Sequence, residues 1–424
     1  MSVSTPIITP ALLGYDLVWE EEHIKIEVRR IRTSKGDYTT AEITIFRIDG
    51  DNLHQLKRCL HNLLAPRSAS SLATELNKLY DQVAWGTILD HMSTYVLDSE
   101  RKGEPMILLR SSDAKINPPE YILEPFIVKG VPNVIFGESG SHKSTIAALL
   151  GITCTFPWTD NPMGWRAPAT RRKVAYLDWE EYKDNALWKI GAIADGTGLG
   201  YVEMPYRRCK IPLAEDLDQI AYWLEDFGAE ITIIDGLGMA AGGDQNSSEL
   251  AIRFWSAWRQ LNTTSLIVGH TTKSRAEGKA NSIFGSMYYT AESRNNWEVT
   301  YASHENGLDY DVCLTHRKAP SFDRKRSPIG LHISYAPNNG GVSFHQINPA
   351  DIPEFTSSLD GLGTQDQITS MLNKYGPMNK ATLLDELGIG REGRGKIDTA
   401  ISRMADRKVV RRNKDGEYEL VTKR

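Results

Sequence analysis

Basic residues are not in excess in this chain of 424 residues: 49 Lys and Arg stand against 54 Asp and Glu, a formal net charge of −5. With an isoelectric point near 6.1, a uniformly basic nucleic-acid binder is excluded, and any surface for a polyanion has to be local. Cysteine is scarce. Cys59, Cys154, Cys209 and Cys313 are scattered without CxxC spacing, so neither a disulfide framework nor a cysteine zinc site is implied. The N-terminus lacks a basic segment followed by an apolar one, and the longest apolar stretch is too short for a bilayer. The expectation is a soluble protein of a reducing compartment, the cytoplasm of a bacterium or of a phage or plasmid host, with no membrane partner. The length predicts two or three domains at roughly 150 residues each.

The segment NVIFGESGSHKSTIAALL, Asn133 to Leu150, carries the most information. An apolar strand runs into a Gly-rich turn that opens a helix. Backbone N–H groups then converge on an anion at the positive end of that helix, which is the construction of a phosphate-binding loop. Gly137, Glu138, Ser139, Gly140, Ser141, His142, Lys143, Ser144 and Thr145 form the candidate nucleotide site. Lys143 would reach the β- and γ-phosphates of ATP, and the Ser144 hydroxyl would ligate Mg²⁺. His142 occupies the place before the lysine where glycine is usual. A positive φ there would cost a His on the order of 1–3 kcal/mol.

Three further strands follow. VAYLDWEE ends in Asp178, Glu180 and Glu181, and ITIIDGLG closes on Asp235. Carboxylates at the C-terminal edge of buried parallel strands sit where open α/β sheets bind ligands. Asp235 is placed to contact a phosphate-bound Mg²⁺ through water. SLIVGHTTKS ends in His270, positioned to sense a γ-phosphate. Trp255 and Trp258, at i, i+3 spacing, read as packing against the sheet rather than base stacking. Arg294 and Trp297 suit either a nucleotide or a subunit contact.

Around this core, HIKIEVRRIR and TTAEITIFRI alternate about the turn SKGDY and predict a β-hairpin. Its Arg29, Arg30 and Arg32 read as a solvated face. Asp51–Leu64 and Ser70–Leu97 carry helical spacing. A polar linker, SSDAKINPPE, precedes the core. At the other end, TQDQITSMLNKYG, NKATLLDELGI and GKIDTAISRMADRK predict three helices, followed by a hairpin turned at Asp415 and Gly416. That is a winged-helix arrangement, with Arg403, Arg407, Lys408, Arg411, Arg412 and Lys414 on its last helix and wing. The expected domains are 1–115 (small α+β), 116–350 (α/β P-loop core), 351–361 (linker) and 362–424 (winged helix).

ILEPFIVKGVPNVIFGESGSHKS, VAYLDWEE, ITIIDGLGMAAGGDQNSS, SLIVGHTTKS and IFGSMYYTAESRNNWEV together resemble the RecA-like P-loop ATPases of the RepA group, the hexameric replicative helicases of plasmids and phages. The resemblance spans roughly Tyr121 to Ile347. It implies a RecA-like fold and a water-activating acid that by position is Glu180, with Asp178 and Glu181 as alternatives. It also implies a DNA-facing loop bearing Lys273, Arg275 and Lys279, which would track phosphates. Arg317 and Lys318, at the end of DVCLTHRKAP, would reach the γ-phosphate held by a neighbouring subunit; an arginine finger is worth ~10³ to 10⁵ in turnover. Arg324, Lys325 and Arg326 read as a solvated loop. The expected function is a ring-forming, ATP-hydrolysing DNA helicase acting on single-stranded DNA, a homo-oligomer and in all expectation a hexamer, meeting replication proteins through its terminal domains. The alternative is a regulatory or helicase-loading ATPase that binds DNA or protein without unwinding.

Overall fold

The computed structural model describes residues 3–11, 13–34, 38–102, 108, 120–271, 282–337, 340–349, 352–355, 364–387 and 394–421. Residues 1–117 with 218–223 form one compact unit, and 118–217 with 224–424 a second.

In the first unit, β1 (Ile7–Ala11), β2 (Gly14–Trp19), β3 (Ile24–Ser34), β4 (Tyr38–Asp49) and β5 (Asn52–Asn62) form an antiparallel sheet in sequence order. Alternation sorts its faces. Ile26 pairs with Ile45 and Val28 with Ile43, and all four are fully buried. Helices α1 (Pro66–Leu79) and α2 (Trp85–Lys102) cover that face with Leu72, Leu76, Ile88, Leu89 and Met92. Full burial of such side chains is worth about 1.5–3 kcal/mol each. Two expectations are corrected. The segment from Asp51 is not helical: it is strand β5, paired along β4, with Leu53 and Leu60 left exposed. Nor are all the hairpin arginines solvated, because Arg29 binds the Asp16 carboxylate and the Tyr15 carbonyl.

The second unit opens with a ribbon of β6 (Tyr121–Leu123) and β7 (Ile127–Val128). Then come β8 (Pro132–Gly137), α3 (Lys143–Thr155), β9 (Val174–Asp178), α4 (Lys183–Thr197), β10 (Tyr206–Arg208), α5 (Leu213–Phe227), β11 (Ile231–Asp235) and α6 (Leu237–Ala241). After these follow α7 (Ser248–Leu261), β12 (Thr264–His270), α8 (Met287–Glu292), β13 (Asn295–Ser303), β14 (Asp309–Lys318), β15 (Ile329–Tyr335) and β16 (Val342–Ile347). The sheet runs β10-β9-β11-β12-β8-β13-β14-β15-β16. It is parallel through β13, and its last three strands are antiparallel. Every residue of β8, β9 and β11 is buried, which explains their mainly apolar composition without alternation. Left-handed glycines, Gly198 and Gly228, end α4 and α5. Asp235 lies opposite Asp178, and His270 opposite Gly137. The strand ends that carry chemistry therefore meet at one edge of the sheet.

The chain continues as α9 (Thr364–Tyr375), α10 (Lys380–Glu386), α11 (Arg394–Asp406) and a ribbon of β17 (Val410–Arg412) and β18 (Tyr418–Leu420). Ile368, Leu372, Leu383, Ile397, Ile401 and Val410 give these elements a core of their own. Among the described residues, no helix is long and apolar enough to cross a membrane.

Candidate active site

The loop between β8 and α3 is shaped by exclusion of side chains. A Cβ on Gly137 would lie 2.4 Å from the Val299 carbonyl oxygen and 2.8 Å from Ser141 Oγ, and Gly140 has φ +80°. Glu138, Ser139 and Gly140 form the exposed tip, whereas Ser141 is buried. The Ser141 hydroxyl donates to the Glu138 carbonyl at 2.8 Å, and Lys143 Nζ donates to that carbonyl and, at 3.3 Å, to Ser141 Oγ. Lys143 is only 6% exposed. Burial lowers its pKa, opposed by the carboxylates of Glu180, Asp235 and Glu138.

Asp235 is 1% exposed. Tyr176 donates a 2.6 Å hydrogen bond to its Oδ2, while its buried Oδ1 has no hydrogen-bond partner. Burial raises the carboxyl pKa to about 6, against the lowering influence of the Tyr176 and Ser144 hydroxyls. An unsatisfied buried oxygen beside a serine hydroxyl is what a hydrated divalent cation would complete. Ser144 and Asp235 thus fit Mg²⁺.

The three acids after β9 separate by geometry. Asp178 is 1% exposed and its Oδ1 accepts the backbone N–H groups of Glu180 and Glu181, both at 2.8 Å; it shapes the turn. Glu181 binds Lys189 at 2.9 Å. Glu180 turns toward the phosphate loop, with Oε1 3.4 Å from His270 Nε2. The His270 hydrogen bond leads in lowering its pKa, against burial and with help from the Lys143 charge. Glu180 is accordingly an ionised carboxylate able to accept a proton. Gly236 makes room for it, since a Cβ there would meet Glu180 Oε1 at 2.0 Å. The role of Gly236 is not visible in the sequence pattern, because it depends on how β9 and β11 lie side by side, whereas the Asp178 turn is made with the N–H groups two and three residues on, a local pattern of the kind an Asp signals.

His142 has φ 60° and ψ 18°, so the left-handed conformation is real. Its neighbours offset the cost. Nδ1 lies 3.0 Å from the Tyr335 hydroxyl, and the ring packs on Tyr310 at 4.2 Å between centroids, with Tyr301 and Tyr335 near 6 Å. Burial, then the Lys143 charge, lowers its pKa to about 4. Thr145 lies in the same cluster, its hydroxyl acting on Tyr335.

Arg317 and Lys318 are not at the chain's own phosphate loop. Lys318 pairs with Asn296, which pairs with Val134, three residues before Gly137. Arg317 Nε is bound to the buried Glu298 carboxylate, and Lys318 Nζ donates to the Thr290 and Ala291 carbonyls at 2.8 Å. Lys273, Arg275 and Lys279 lie outside the described residues. The loop thought solvated is pinned at one residue: Arg326 binds Glu124 at 2.9 Å and Asp323 at 2.7 Å. Trp297 belongs to the core, fully buried and stacked on His316 at 4.2 Å, whereas Arg294 binds the Ala291 carbonyl. Trp255 is buried and Trp258 donates to Ser265 of β12, so both pack on the sheet.

Residues 100–276 match the family model of an AAA domain. No curated protein matches the chain. Among solved structures, a KaiC-like protein of the archaeon Pyrococcus horikoshii OT3 aligns over 53% of this chain and 93% of its own, at 12% identity and a TM-score of 0.35. The matched segment takes in the phosphate loop and the ends of β9, β11 and β12, so residues 100–276 are similar to ATPase domains of the AAA type.

Proposed function

We propose that this chain is a ring-forming, ATP-hydrolysing motor on single-stranded DNA, a replicative-type helicase of the RepA group. One observation carries the reading furthest. His270, which contacts the candidate base Glu180, ends β12, and Lys273 follows only three residues later. A change at the γ-phosphate is transmitted by the shortest possible covalent path to the segment carrying Lys273, Arg275 and Lys279.

Lys143 and the loop N–H groups bind the ATP phosphates, and Glu180, oriented by His270, accepts a proton from the attacking water. Ser144 and Asp235 would hold Mg²⁺, which when bound would supply charge neutralisation at the β- and γ-phosphates. Arg317 or Lys318 serves the site of an adjoining subunit in a hexameric ring. The three C-terminal helices and their ribbon act as a winged helix. Arg403, Arg407, Lys408, Arg411, Arg412 and Lys414 are all exposed there, a basic face for DNA or for a replication protein.

Unwinding of a forked duplex by the full chain tests this. Strand separation that requires ATP and disappears in Glu180→Gln supports the motor. ATP hydrolysis without strand separation makes it a regulatory or loading ATPase instead.

A further inference from the structure

On the opposite face of the sheet from His142 lies a group of side chains that ATP hydrolysis does not use. Strand pairing places Asp311 beside His332, and His332 beside His345. Asp311 alternates with Tyr310, so the strand that presents Tyr310 to His142 presents Asp311 to the other face. The turn after β13 returns His304 to the same place. His304 Nε2 is 2.9 Å from Asp311 Oδ2, and His332 Nδ1 is 2.7 Å from Asp311 Oδ1. Asp309 Oδ1 lies 3.8 Å from His332 Nε2. The His345 ring sits 4.6 Å from that of His332.

We propose that His304, Asp311 and His332 form a binding site for one divalent transition-metal ion of the zinc type, with Asp309 and His345 at its margin. One potential ligand atom from each of the three residues lies within 4.8 Å of the other two. A tetrahedral ion with bonds of about 2.0–2.2 Å holds its ligands roughly 3.4 Å apart, so a separation at the 4.8 Å limit closes on an ion by about 1.4 Å, within reach of side-chain rotation at the exposed His304. Two imidazoles and a carboxylate suit zinc, nickel or cobalt, whereas Mg²⁺ takes oxygen ligands. The site is therefore chemically distinct from the one beside Ser144. Asp309 and Asp311 supply two negative charges for a dication. Asp311 is only 6% exposed, which keeps one ligand fixed, while the half-exposed His304 gives access. The bound ion would fasten the turn between β13 and β14 to β15, behind the strand that supports the phosphate loop through Tyr310.

Zinc content of the full-length protein after equilibrium dialysis against micromolar Zn²⁺ tests the proposal, with Co²⁺ as a spectroscopic probe. One equivalent of zinc per chain is expected, and Co²⁺ should give the intense visible bands of a low-coordinate site. His304→Ala removes a surface ligand with little risk to folding and should weaken binding at least about tenfold, as should His332→Ala. Lys143→Ala should bind zinc as the parent does. Failure of the parent to retain zinc, or zinc affinity unchanged in both histidine variants, would overturn the proposal.

Discussion

Replacing Gly236 with alanine isolates the placement of Glu180 from its chemistry. The added Cβ would lie 2.0 Å from Glu180 Oε1, 2.7 Å from Cδ and 3.3 Å from Cγ. An ordinary van der Waals approach begins near 3.4 Å, so the carboxylate must withdraw by about 1.4 Å, leaving His270 as it goes. The Gly236 backbone is extended, at φ −123° and ψ 149°, so left-handed strain plays no part. A misplacement of about 1 Å can cost ~10²-fold in rate, equivalent to about 2.7 kcal/mol of barrier. Lys143 and Asp235 keep their positions, so nucleotide affinity should hold while kcat falls about 100-fold. Steady-state ATPase and a nucleotide titration on the same preparation separate the two quantities. The pair Gly236→Ala and Glu180→Gln should be strongly non-additive, because a displaced carboxylate and an absent one are equivalent losses. Parent-like kcat in Gly236→Ala would refute the assignment of Glu180, and full additivity would show that the glycine acts elsewhere.

Lys143→Ala should abolish nucleotide binding, whereas Glu180→Gln should bind normally and turn over ~10²- to 10⁴-fold more slowly; equal effects in a binding assay would contradict the separation of roles. Burial holds His142 and His316 near pKa 4 in the folded chain, below the unfolded value of about 6.5. Their contribution to stability is complete above that value and is lost as pH falls toward 4, so the melting temperature should drop across this window, and less so in His316→Gln. Asp235 has the opposite shift, to about 6, so Mg²⁺-dependent nucleotide binding should weaken below pH 6 as the carboxylate takes up a proton. Lys318→Ala mixed with Lys143→Ala should regain part of the ATPase activity if the lysine acts across a subunit boundary, and full activity of a dilute monomer would exclude that role.

The core was largely legible because each of its strands announces its own end. A run of buried, mainly apolar residues followed by Asp, Glu or His marks β9, β11 and β12 without knowledge of their neighbours, and the glycines after β8 admit few alternatives. The order of strands is what brings Lys143, Ser144, Asp235, Glu180 and His270 to one edge of the sheet, and no single segment of the sequence encodes it. Choosing among Asp178, Glu180 and Glu181 needed the backbone: only when Asp178 accepts two N–H groups is Glu180 left facing His270. The segment from Asn52 to Asn62 misled because Leu53, Leu56 and Leu60 fall at helical spacing. Those leucines are mostly exposed on an edge strand, and pairing with β4 overrides the periodicity. The ring of Tyr301, Tyr310 and Tyr335 around His142 and the cluster of His304, Asp311 and His332 rest on register between β13, β14 and β15, which no local pattern encodes.

The proposed coupling of ATP hydrolysis to single-stranded DNA through the segment after His270 is most directly tested by replacing Lys273, Arg275 and Lys279 together with alanine and measuring single-strand binding against salt alongside ATPase. Binding should weaken similarly for every sequence, the slope of log affinity on log salt should fall by about 0.7 for each DNA phosphate that is no longer neutralised, and stimulation of ATPase by DNA should vanish while basal turnover persists. An unchanged salt slope with DNA stimulation intact would contradict the motor and favour a regulatory or loading ATPase.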